Sequence, residues 1–147
     1  MRRFNFNLEK ILDLRKIKEE ECRLALGQAI SALNMIENKI KETALRRHNA
    51  ANERFSDPLD IASWDTYILR LEQEAEVLAD KAAQAQIVVE QKRELYLEAS
   101  KDLKAIEKLK EKQKKEYRRE TLNTQMNEVD DITAARLITN SGYNLYP

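Results

Sequence analysis

The chain has 147 residues, with 26 basic and 26 acidic side chains, no net charge at neutral pH, 35% charged residues and only 2 glycines. So few glycines exclude a glycine-rich phosphate loop, the balanced charge weighs against a nucleic-acid-binding field, and the charged fraction is that of long solvated helices rather than a compact core. No apolar run reaches the about 18 residues that cross a bilayer, and the opening residues hold no apolar stretch fit for a secretory signal, so a cytosolic protein is expected.

The first predicted element is a helix over residues 8–55. Leu8, Leu12, Cys22, Leu26, Ala29, Leu33, Ile36 and Ile40 fall on a four-then-three alternation that only Arg15 and Glu19 interrupt. Such a repeat keeps one stripe of a helix facing a partner helix along a supercoil. Asn5 or Asn7 is the expected N-cap, which leaves Phe4 and Phe6 to fold back on the seam or to meet a partner. Gly27 costs about 1 kcal/mol relative to alanine without breaking the helix. Cys22, the lone cysteine, reads as a small buried hydrophobe of the seam. His48 has no second histidine or cysteine at ligand spacing and reads as an exposed polar residue.

A break follows at Phe55-Ser56-Asp57-Pro58-Leu59-Asp60, with the turn placed at 56–59. Asp57 is suited to cap the next helix, Pro58 to its first position, and Asp60 to the acid of a capping box. A connection this short makes the second helix return antiparallel to the first.

The second helix is predicted over residues 58–140, with a tail over 141–147. Its seam runs Trp64, Ile68, Leu71, Ala75, Leu78, Ala82, Ala85, Val89, Lys92, Tyr96, Ala99, Leu103 and Ile106, apolar at every position except Lys92. The expected fold is all-α: one elongated domain, a two-helix antiparallel coiled-coil hairpin. Because no helix stop appears before Gly142, a C-terminal overhang should extend past Ile106. Pairing Glu19 with Lys92, Arg15 with Tyr96 and Arg47 with Trp64 would give each awkward seam residue a charged or aromatic neighbour. In that register partner positions total about 111; a slip of one heptad would set Lys92 against Leu26.

A rod of two helices offers almost no concave pocket, so neither catalysis, a cofactor, a metal nor a small-molecule ligand is expected. Lys101 to Arg119 holds nine basic against four acidic residues, but Tyr117 is its only aromatic, which reads as a solvated face rather than a nucleic-acid site. Function should therefore lie in exposed surfaces: Ile17, Leu24 and Leu45 on the outermost face, Leu14 and Met35 on its flanks, the group at Trp64 and Tyr67, and the unpaired C-terminal helix.

Two end segments narrow this further. Phe4-Asn5-Phe6-Asn7-Leu8-Glu9-Lys10-Ile11-Leu12-Asp13-Leu14-Arg15-Lys16, followed by Glu19-Glu20-Glu21, resembles the opening of the FliJ family of flagellar export proteins. Lys104 to Lys112, Glu116-Tyr117-Arg118-Arg119-Glu120, then Glu128-Val129-Asp130-Asp131 and Arg136, resembles the C-terminal helix of that family. Gln125, Met126 and Asn127 depart from its pattern. The resemblance implies a non-enzymatic component of the flagellar type III export apparatus, similar to the central stalk of rotary ATPases. It implies binding of the ring of the export ATPase FliI through Tyr117, Arg118, Glu128, Val129, Asp130, Asp131 and Arg136. It further implies a contact with the export gate protein FlhA through Tyr67, Leu71, Glu74 and Leu78, where Glu74 replaces the small residue of the family. Escort of export chaperones is also attributed to the family. The expected location is the cytoplasmic base of the export apparatus, peripheral to the membrane through partners only. The alternative is a generic cytosolic coiled-coil scaffold or chaperone.

Overall fold

A computed structural model of the chain describes residues 3–53 and 58–144, with side chains described up to 140. Two helices account for nearly all of it: α1, Glu9–Ala51, and α2, Pro58–Asn144. They pack against each other as an antiparallel hairpin. The chain forms two packed units, residues 15–102 and the described residues before 15 together with those after 102.

In the unit of residues 15–102, each α2 seam position from Trp64 to Ala99 is buried or half-buried. On α1 the same holds for Cys22, Leu26, Ala29, Leu33, Ile36 and Ile40, and for Arg15 and Glu19, the two charged interruptions. The α1 alternation then continues through Thr43 and Ala50, both buried. With one partner helix only, most seam side chains keep one flank in water. Full burial is reached by few, chief among them Leu71 at 2% exposure, and sequestering a leucine side chain so completely stabilises by about 1.5 to 3 kcal/mol.

Helix α1 ends at Ala51, short of the expected residue 55. The Asn52 amide donates to the Asn49 carbonyl and the Glu53 amide to that of Ala50, both at 3.2 Å, a tightening of the last turn that uses carbonyls the helix leaves over. The Ala50 carbonyl also accepts the Trp64 indole N–H at 2.6 Å. Trp64 therefore ties the start of α2 to the end of α1. Pro58 opens α2 and Asp60 stands in its first turn, as expected; Asp57, the proposed cap, lies outside the described residues.

The expected register is overturned. Arg15 pairs with Asp102 at 3.6 Å and Arg47 with Glu72 at 3.1 Å, so partner positions total 117 and 119 rather than 111. No ion pair joins Glu19 to Lys92 among the described residues, and Arg47 meets a carboxylate instead of the Trp64 face. The physical reason lies in Lys92. It is half-buried beside Cys22 and Ala25, and a lysine can occupy a seam without an acidic partner, because its methylene stem is apolar and long enough to keep the ammonium in water.

In the other unit, neither Asn5 nor Asn7 caps α1. Glu9 donates to the Phe6 carbonyl at 3.2 Å and Leu12 to that of Leu8 at 2.9 Å, so a turn over 6–9 leads into the helix. What fixes that turn is apolar: Phe6 and Leu12 are buried, and the Phe4 ring lies 5.6 Å from that of Tyr117. Lys110 closes the arrangement, with Nζ 2.9 Å from Glu9 and 6.0 Å from the Phe6 ring centre. Pairing thus extends well past Ile106, and half-burial ends only at Thr121. From Leu122 to Asn140 every side chain of α2 is exposed.

Candidate functional site

Two surfaces follow from this geometry. The first lies just after the start of α2. Tyr67 sits one position off the seam, 39% exposed, while Leu71 is locked into it and Leu78 is half-buried. Glu74 is exposed. The structure brings Glu74 and Leu78 together on an open depression whose other wall is Lys39, Thr43 and Arg46 of α1, with Arg70 at its edge. Tyr67 and Leu71 do not line it. The depression was legible only in part: Thr43 and Arg47 continue the α1 alternation after Ile40 as polar residues, which marks this part of the seam as unlike the rest. The cations around it could not be assembled from spacing, because they come from both helices and depend on the register.

The second surface is the unpaired end of α2. Leu122, Met126 and Val129 recur at helical spacing and are each about three-fifths exposed, with Ile132 and Leu137 further along. Exposure of so much apolar area on one helix face is unusual for a finished surface. Glu128, Val129, Asp130, Asp131 and Arg136 all lie on this exposed stretch. Tyr117 and Arg118 do not: Tyr117 is half-buried against Phe4, and Arg118, though exposed, lies on the paired part. The sequence placed the start of the overhang too early because the Phe4–Tyr117 contact joins residues far apart in the chain, with no periodic signal in the short N-terminal segment.

Electrostatics add little that is local. Glu20 holds the Arg23 guanidinium above its usual range, mainly through a hydrogen bond and then through its charge. No group of three or more metal-ligating side chains occurs among the described residues. No helix among them is long and apolar enough to cross a membrane.

The model of the flagellar FliJ protein family matches residues 4–142. The chain belongs to the FliJ family. No curated protein and no solved structure gives a significant match. Membership makes this chain a component of the flagellar protein export apparatus. The match includes both surfaces described above.

Proposed function

We propose that this FliJ-family chain acts as a coiled-coil stalk of the export apparatus, in which the free end of α2 enters the ring of the export ATPase FliI and the surface after the tip engages the export gate protein FlhA. The observation that carries the proposal is the stretch from Leu122 to Asn140, helical and wholly exposed while the rest of α2 is covered along its seam. A helix that leaves its hairpin with an apolar stripe uncovered is built to be enclosed by something else. Glu128, Asp130, Asp131 and Arg136 supply the polar contacts of that enclosed end, with Tyr117 and Arg118 at its base. Tyr67 offers an amphipathic anchor to the gate, with Glu74 and Leu78 two and three turns further along α2, and Leu71 holds that stretch of α2 against α1. Export chaperones are further candidates for the exposed helix faces, and the site of action is the cytoplasmic base of the apparatus.

The test is ATP turnover by the partner ATPase with the full chain and with a chain ending at Thr121. The shortened chain keeps every described contact between α1 and α2, so it should stay folded and lose stimulation. Equal stimulation by the two would remove the free end from the ring. A cut after Leu109 is less clean, since it also deletes Lys110 and Tyr117, the partners of Glu9 and Phe4.

A further inference from the structure

Part of the basic stretch is organised more strictly than a solvated face requires. Lys104, Lys108, Lys112, Lys115 and Arg119 follow one another at intervals of four, four, three and four, close to the period of a straight α-helix. At 100° per residue they occupy a wedge of about 80° and run along about 22 Å of the helix. All five are exposed, on the side away from Lys110 and Tyr117, which face the N-terminal turn. None of them takes part in an ion pair or side-chain hydrogen bond among the described residues. Glu111 borders the row, while Glu107, Glu116 and Glu120 lie further round the helix. Three i,i+4 steps in the row set like charges against each other, an arrangement that weakens a helix and that solubility alone does not require.

We infer that this row docks the chain onto an anionic phospholipid surface. A plane touches a helix along one line, and the cations lie on one line. Four of the five are lysines, compact point charges without the planar fork that reads a single phosphate or carboxylate, which suits a field of headgroups. A single-stranded nucleic acid would find aromatic side chains to stack on, and the row has none, while a duplex is separated from a lipid surface by the test below. The inference is independent of any contact with an ATPase or a gate, and it differs from attachment to the membrane through partners alone.

Flotation of the full chain with phosphatidylcholine vesicles, and with vesicles containing about 30% phosphatidylglycerol, tests it at about 0.1 M salt, where exposed charges act over about 10 Å. Binding should require the anionic lipid and fall away as salt rises. The triple variant K104Q/K108Q/K112Q should bind about a hundredfold more weakly, at about fivefold per lysine, and K115Q/R119Q about 25-fold more weakly. Circular dichroism should show both variants as helical as the parent, since glutamine is a good helix former. A control on α1, K16Q/K18Q, should stay within about threefold of the parent. Equal binding to neutral vesicles, or undiminished binding by both row variants, would overturn the inference. So would tighter binding to duplex RNA than to the vesicles, lost in the row variants, which would assign the row to nucleic acid.

Discussion

Tyr67 and Leu71 lie one helical turn apart and have opposite prospects under mutation. Leu71 is buried in the seam at 2% exposure, so Leu71→Ala should lower stability by about 2 to 5 kcal/mol, read from urea unfolding followed by helicity. Tyr67→Ala should leave that curve nearly unchanged and weaken binding to the export gate by about 1 to 3 kcal/mol, measured by calorimetric titration with the gate protein. Should the tyrosine variant lose stability with its gate affinity intact, Tyr67 is a packing residue. Trp64 is a third case, because its indole donates to the Ala50 carbonyl at 2.6 Å. Trp64→Phe keeps most of the apolar area and removes the donor, so a loss of about 0.5 to 1.5 kcal/mol is expected from the same unfolding measurement. A change below the error of the measurement would mean that the indole bond adds nothing to the stability of the tip.

At the scale of the element, α1 carries one avoidable weakness. Gly27 is exposed, has no unusual backbone angle, and a Cβ built there would meet nothing within 4 Å. Gly27→Ala should therefore raise stability by about 1 kcal/mol through the lower backbone entropy of the unfolded chain, seen as a higher thermal midpoint. A lower midpoint would show that the glycine serves a contact with another molecule or a bend. The two halves of α2 should also behave differently in hydrogen exchange. Helical amides from Leu122 onward have no partner helix to oppose their opening and should exchange well before those around Val89 and Ala99, whose side chains are buried. Addition of the partner ATPase should slow the exposed stretch first.

For the molecule as a whole, the two helices are aligned by a few cross-helix contacts set on a repeating seam. The Arg47 and Glu72 side chains are both about half exposed, and such a pair adds little by itself, but it reports on register. A double-mutant cycle of Arg47→Ala and Glu72→Ala should give a coupling of about 0.2 to 1 kcal/mol, whereas a hairpin set one heptad away would place Arg47 opposite Trp64 and give none.

That register marks where the sequence stops being informative. The four-then-three alternation names the buried face of both helices residue by residue, because a supercoil needs one continuous stripe and tolerates few exceptions. Seam residues from Leu8 to Ile106 are covered as their spacing implies, including Lys92, Arg15 and Glu19. Family membership was legible too, from two ordered end segments. A periodic stripe, however, stays in contact with its partner when one helix slides by a heptad, so the pattern is the same for every such alignment. What marks the alignment adopted are contacts with no local signature: the Trp64 indole on the Ala50 carbonyl ties the helix ends together, and Arg47 with Glu72 and Arg15 with Asp102 report the register. The N-terminal turn adds Glu9 with Lys110 and Phe4 against Tyr117. Those same contacts decide that the free end of α2 begins at Leu122 rather than just after Ile106, since only the folded turn shows how far along α2 an aromatic residue near the start of the chain can reach.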